Sequence, residues 1–309
     1  MYQLKQDESS ADGIQRVVDE QIAESIALLS DNGGDRDVAI HETRKKIKRI
    51  RAALRLVRGA LGEPLFQQEN GRFRDIGRQL APLRDSFVLL ETLDGVWAER
   101  RAAIDPTAYT QVRGQLMARY EAVQQQFLGD DGLVETAVSA LQTAQTITLP
   151  IGADGFTPLS YGLRHTYRLG RRRMAQAQAY PGSAEAFHEW RKAVKYLWHQ
   201  LELLHPIWPG YLTELALQLH TLSGHLGNAH DLAELNHVLW QNPEQFPPSP
   251  VLTVLQQQIT DHQRQFEAMA WPVGRRLYAE RPLPFTNRFA IYYAVWQTEG
   301  SSNSQTPLQ

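Results

Sequence analysis

One motif written twice constrains this chain more than any other feature. His41-Glu42-Thr43-Arg44-Lys45-Lys46-Ile47-Lys48 and His188-Glu189-Trp190-Arg191-Lys192-Ala193-Val194-Lys195 share the pattern H-E-x-R-K-x-[IV]-K at an offset of 147 positions. Leu80-Ala81-Pro82-Leu83-Arg84-Asp85 aligns with Leu226-Gly227-Asn228-Ala229-His230-Asp231 at an offset of 146. Two separate regions agreeing on one spacing point to an internal duplication, with about half of the 309 residues in each copy.

Apolar residues recur at helical spacing through nearly every segment, and no stretch alternates convincingly as a strand would. Helix breakers divide the chain into expected helices at 12–30, 36–61, 63–81, 84–103, 106–128 and 130–145, then 159–179, 183–206, 210–228, 230–241, 250–270 and 286–298. The expected fold is all-α, with two pseudo-symmetric antiparallel helical bundles. A first repeat at 1–147 joins a second at 159–299 through a linker at 148–158. The stretch from Gln245 to Pro250 reads as a loop, and residues 300–309 as a disordered tail.

The absence of cysteine excludes disulfide frameworks, zinc-thiolate sites, iron–sulfur clusters and thiol nucleophiles. The longest apolar runs fall far short of the ~18 residues of a membrane span. A polar Met1–Glu8 does not read as a signal peptide, so the expected location is the cytoplasm. The formal net charge of −2 argues against a uniformly basic binder. It conceals an uneven distribution.

Residues 41–58 hold Arg44, Lys45, Lys46, Lys48, Arg49, Arg51, Arg55 and Arg58 against one acid, Glu42. On a helical wheel His41, Arg44, Lys45, Lys48 and Arg55 fall within roughly 100°. Ile47, Ile50, Leu54, Val57 and Leu61 occupy the opposite, core-facing side. The second copy repeats the arrangement: His188, Arg191, Lys192, Lys195 and His199 share a sector, with Trp190, Val194, Leu197 and Leu201 behind them. A helix near 159–179 adds Arg164, Arg168, Arg171 and Arg172, with Arg173 nearby and no acid among them. A solvated face is the ordinary reading of a charge run, but such faces alternate Glu with Lys to gain i,i+4 pairing. One-sign stripes that recur in both halves of a near-neutral chain point to a polyanion instead.

Single-stranded nucleic-acid binders interleave aromatics with cations because bases must stack, and positions 41–58 carry no aromatic. That favours a ligand made of phosphate alone, with duplex DNA as a competitor.

At these residues the sequence resembles the CHAD family, the histidine-bearing α-helical domain. The resemblance runs from about Ile14 to Trp296 and rests on H-x-x-R-K-x-x-K and L-[GA]-x-x-x-D, each present twice in order. It implies two pseudo-symmetric bundles around a basic groove or pore, binding of inorganic polyphosphate, and association with polyphosphate granules. Many members are fused to a CYTH triphosphatase marked by E-x-E-x-K. This chain has no E-x-E-x-K, so a stand-alone form without the catalytic half is expected.

Carried over position by position, the resemblance implies that His41, Arg44, Lys45, Lys48 and Arg51 contact phosphate in the first copy, and His188, Arg191, Lys192 and Lys195 in the second. Arg55 and the Arg164–Arg172 stripe join them as candidates on charge. Arg74 and Arg78 share a face of the third helix, and His220 with Gly224 takes the equivalent place in the second half. Pro82 is a departure expected to end or kink its helix.

Nine of the ten histidines lie at or beyond His165, which raises a metal-binding module. The spacing of His220, His225 and His230 is five, whereas paired helical ligands favour i,i+4, and there is no H-E-x-x-H. His41 and His188 fit better as donors to phosphate oxygens, which would tighten binding below about pH 6.5. Asp85 and Asp231 occupy matching places and read as caps, or as carboxylates that orient a neighbouring Arg or His. Gly224 and Gly227 suggest close helix approach. No metal or cofactor is required by this reading.

The expectation is thus a non-catalytic binder of linear polyphosphate, with no membrane partner and no preference for nucleic acid. A phosphohydrolase or phosphotransferase using His41 or His188 as phosphoryl acceptor stays open, as do the metal-binding and nucleic-acid alternatives.

Overall fold

The computed structural model describes residues 1–303 apart from 32, 130 and 153. Among the described residues there is no strand. The first half contains α1 (Ser10–Ser30), α2 (Arg36–Leu56), the single turn α3 (Arg58–Leu61), α4 (Glu63–Gln79), α5 (Ala81–Arg100), α6 (Pro106–Gly129) and α7 (Asp131–Ala144). The second contains α8 (Thr157–Ala179), α9 (Ala184–Leu203), α10 (Pro209–Gln241), α11 (Pro250–Leu277) and α12 (Pro282–Asn303).

Several starts are written locally. Ser9, Asp35, Ser183 and Ser249 each precede a helix and accept a hydrogen bond from a first-turn backbone N–H. Pro82 ends one helix as expected: α4 stops at Gln79 and α5 begins at Ala81, with the proline where its missing N–H costs nothing. Asn228 stands at the matching place in the second half and keeps its donor. The helices expected at 210–228 and 230–241 are therefore one unbroken 33-residue α10. Conversely, the helix expected over 36–61 is interrupted at Val57. Two helices also run past their expected ends. α11 passes through Pro272 to Leu277, held there by Trp271 stacked 5.0 Å from Trp190 and by buried Tyr278. α12 runs on to Asn303, so the first residues of the expected disordered tail are helical, while 304–309 lie outside the described residues. The 148–158 connection is tied down rather than loose. Leu149 donates its N–H to Gln15 at 2.8 Å, Asp154 accepts from the N–H of Ser10 at 2.9 Å, and α8 already begins at Thr157.

Packing order is alike in the two halves. α1 lies on α2, α2 on α4, α5 on α6 and α7 on α1; α8 lies on α9, α9 on α10, α10 on α11 and α12 on α8. The halves meet where α2 crosses α8 and α9 and where α5 crosses α10. Glycine makes one crossing feasible: a Cβ on Gly162 of α8 would stand 1.9 Å from the carbonyl oxygen of Leu56. The apolar stripes expected to face inward do so. Ile47, Ile50 and Leu54 on α2, and Trp190, Val194 and Leu201 on α9, are buried in one core that spans both halves. Burial of each such aliphatic side chain contributes about 1.5–3 kcal/mol. A smaller second core is built from α5, α6, α10 and α11 around Leu93, Leu116, Leu235 and Ile259.

Candidate functional site

The two cores do not touch continuously along the helices that enter both. On α5 the large core ends at Leu83 and the small one begins at Leu89; on α10 the change falls between Leu226 and Leu232; on α6 it falls between Leu116 and Phe127. The residues in these gaps include Arg84, Asp85 and Ser86, then His230 and Asp231, then Arg119 and Val123. They line a cavity of about 690 Å³, which α2 and α9 close with their polar faces. Eight Lys or Arg side chains line it (Arg44, Lys48, Arg51, Arg84, Arg119, Arg191, Lys192 and Lys195) against three carboxylates, Asp85, Asp231 and Glu234. His41, His188, His199 and His230 complete its polar wall.

Matching residues of the two motifs make matching contacts. Arg44 donates to Asp85 at 3.2 Å, and Arg191 approaches Asp231 at 3.9 Å. Each motif glutamate also pairs with the lysine three positions on, Glu42 with Lys45 and Glu189 with Lys192. The aspartates therefore orient arginines, and neither caps a helix start. Arg44 also donates to the Leu80 carbonyl at 3.0 Å, at the break that Pro82 creates. Arg51 donates to Asn70 at 3.1 Å, and Arg55 lies 3.9 Å over the Tyr196 ring. The His188 and His230 rings stand 4.4 Å apart. Lys48, Lys195 and Arg119 make no ion pair among the described residues.

Crowding of like charge out of water dominates the electrostatics. Burial, then neighbouring Arg191, Lys48 and Arg44, brings the Lys195 amine down to about 6, with only Asp231 opposing. Burial with Arg44 and Arg191 brings Lys48 down to about 8. Arg44, Arg51 and Arg191 are lowered chiefly by burial, and Arg55 for the same reason to about 10. Burial lowers His41 and His188 and drives His230 to about 3, while it raises Asp231. The histidines are therefore neutral near pH 7, and the onset near pH 6.5 expected from unperturbed imidazoles moves to lower pH. Buried His188 Nδ1 and Arg191 Nε have no hydrogen-bond partner.

The expected residues divide into three groups. His41, Arg44, Lys48, Arg51, His188, Arg191, Lys192 and Lys195 come together around the cavity, with Asp85 and Asp231 beside them. Lys45, Arg55, Arg74, Arg78 and His220 stand outside its wall. Lys45 pairs outward with Glu42, and Arg74 and Arg78 both reach Asp75 near Arg51. His220 meets the edge of Trp198 at 4.7 Å. The α8 stripe is a correction: Arg164, Arg168, Arg171 and Arg172 do not line the cavity, and Arg171 is occupied by the Glu280 carbonyl at 2.8 Å. α8 packs on α2, α9 and α12, which turns its charged face away. Gly224 is a second correction, since a Cβ there would meet nothing within 4 Å; Gly227 meets only the Arg191 guanidinium, at 3.7 Å.

Arg84, Arg119, His230 and Tyr196 line the same wall without being among the site residues expected from sequence. Arg84 and His230 had a usable signal, because they hold equivalent places next to the paired aspartates. Arg119 sits in a segment with no motif. Among the described residues, no group of three or more His, Asp or Glu could hold a metal ion, and no helix is long and apolar enough to cross a membrane.

A sequence model of the CHAD domain matches residues 16–240. Solved structures similar to this chain include PptA from Streptomyces chartreusis, with a TM-score of 0.61 and 14% identity over 88% of this chain and 100% of that one. The CHAD domain from the plant Ricinus communis is similar with a TM-score of 0.58 and 20% identity, over 91% of this chain and 95% of that one. No functionally curated protein matches the sequence.

Proposed function

Because the chain belongs to the CHAD domain family, known as polyphosphate-related, we propose that it binds linear inorganic polyphosphate in the cavity between its two cores, without turning it over. The observation that carries this reading is the convergence of eight Lys and Arg from both halves on one space with three carboxylates. Such crowding raises the energy of the free protein, and an extended polyanion relieves it. Lys48 and Lys195, lowered first by burial and then by neighbouring cations, gain a counter-charge when phosphate arrives. Unpartnered His188 Nδ1 and Arg191 Nε gain an acceptor. Arginine grips phosphate oxygens in bidentate fashion, while lysine acts as a point charge. The matching Arg–Asp contacts support a duplicated unit enclosing one basic groove, and polyphosphate granules in the cytoplasm are the corresponding location.

Titration with polyphosphates of defined length, against a nucleic acid of equal charge, tests the proposal. If about six phosphates are contacted, log K falls against log[salt] with a slope near −4, a few-hundredfold weakening between ~50 and ~200 mM salt. A flat salt response overturns the mechanism. Displacement by equal-charge oligonucleotide overturns the ligand. Orthophosphate release, or an acid-labile phosphohistidine at His41 or His188, overturns the non-catalytic reading.

A further inference from the structure

Six lysines occur in this chain, and the fold treats them differently. Lys45, Lys46 and Lys192 pair with Glu42, Glu24 and Glu189, and Lys5 is exposed. Lys195 is lodged in the cavity wall without a hydrogen bond or ion pair among the described residues. Its charged neighbours from α9 and α2 are Arg191, Lys48 and Arg44, and His188 and His199 of α9 and His230 of α10 also face it; Asp231 from α10 is the one acid that acts on it, and that carboxylate already faces Arg191. Burial, reinforced by these cations, favours the neutral amine, which presents a lone pair. Two arginines that can hold a phosphate group flank it.

We propose that Lys195 is a self-acylation site, taking its acyl group from a small acyl phosphate docked on Arg44 and Arg191. The proposal rests on reading the cavity as a phosphate site. Docking the phosphate places the acyl carbon one bridging oxygen away, within reach of a neighbouring amine. The Lys195 nitrogen attacks that carbon and a C–N bond forms. The carbon–oxygen bond to phosphorus then breaks with its electron pair leaving on orthophosphate. The surplus proton on nitrogen passes to the departing phosphate or to water, and nothing is oxidised or reduced. The amide cannot be protonated, so the cavity loses one of its eight cationic positions, and polyanion binding falls when acyl phosphates are abundant.

The neutral fraction of Lys195 at pH 7.5 exceeds that of an ordinary lysine by about a thousandfold. After allowance for weaker basicity and narrower access, acetylation at Lys195 should run at least about tenfold faster than at Lys5. The test treats the intact protein with acetyl phosphate and follows each lysine by peptide mass spectrometry between pH 6 and 9. Expected are enrichment at Lys195, a rate that levels off above about pH 7 while Lys5 continues to climb, and smaller enrichment with the uncharged donor p-nitrophenyl acetate. Equal rates at Lys195 and Lys5, or a Lys195 rate that climbs in parallel with Lys5, overturn the proposal. Equal enrichment with both donors overturns phosphate docking. Protection of Lys195 by polyphosphate reports separately on the functional reading: enrichment without protection sinks polyphosphate binding there and leaves the acylation site standing.

Discussion

The two halves bring the same motif to one cavity but equip it differently. The first half lines the space with Arg44, Lys48, Arg51, Arg84 and Arg119 against Asp85. The second supplies Arg191, Lys192 and Lys195 against Asp231 and Glu234. Where the first half has Arg84 beside its aspartate, the second has His230, which burial holds neutral. Arg51 corresponds by the repeat spacing to Trp198, which stacks on His199 and meets His220 instead of entering the cavity. The matched lysines separate as well, Lys48 near 8 and Lys195 near 6. A duplicated motif therefore does not make a symmetric site. The first half provides five of the eight Lys and Arg side chains, and the second provides Lys195, the more strongly lowered of the matched lysines.

The sharpest way to break this comparison is to remove each side's cations in turn. Replacing Arg44, Lys48 and Arg51 together with Ala should weaken polyphosphate binding on the order of a thousandfold, from three charge-assisted contacts of about 1.5 kcal/mol each. The triple Ala variant of Arg191, Lys192 and Lys195 should lose roughly a tenth as much affinity, because Lys195 must first take up a proton to contribute. Isothermal titration of both variants, with helicity checked by circular dichroism, decides the matter. Equal losses would show that the halves contribute alike.

The seam between the halves gives the next effect. Gly162→Ala forces a methyl group into the Leu56 carbonyl and should cost about 3 kcal/mol in chemical denaturation. Gly224→Ala, on an open face of α10, should instead stabilise by up to about 1 kcal/mol through helix propensity. A tolerated Gly162→Ala would mean that the α2–α8 crossing is not close in solution.

Smallest is a pH effect that separates the two lysines. Below about pH 6 Lys195 is charged with or without ligand, so its contribution to binding is complete. As pH rises past 6 the free protein loses that proton, and binding must restore it. Affinity then falls by up to about tenfold per pH unit until the higher pKa of the complex is passed. Lys48 adds the same behaviour from about 8. Lys195→Met should flatten the limb between pH 6 and 7.5 and leave the one above 8; Lys48→Met should do the reverse. The free protein runs the other way. Both amines lie below their unfolded value, so the unfolded chain holds more protons from about 6 upward, and stability rises with pH until about 9, where buried Tyr2 and Tyr278, raised above their unfolded value, reverse the trend. A thermal midpoint of the free protein that falls over that range would contradict the crowded-cation account.

Much of this is legible in the sequence. Helical periodicity alone puts the stripe of Ile47, Ile50 and Leu54 behind the basic sector of α2, and Trp190 behind the sector of His188 and Lys195, because 3.6 residues per turn leave little freedom over several turns. Pro82 announces a break through its missing donor. These are local properties, carried by the residues themselves.

Which cations meet is not local. The α8 arginines have the same sequence signature as the α2 stripe, yet they face away because α8 lays its other side on α2, α9 and α12. Arg84, Arg119 and His230 enter the site only because two cores stop short of each other on α5, α6 and α10. The amine of Lys195 is set by the crossing of α2 over α9, which places Lys48 and Arg44 against it and leaves it only partly exposed. Charge, periodicity and repeat spacing were determined by the chain as written. Convergence and desolvation belong to the tertiary structure, since both depend on distances between residues more than a hundred positions apart.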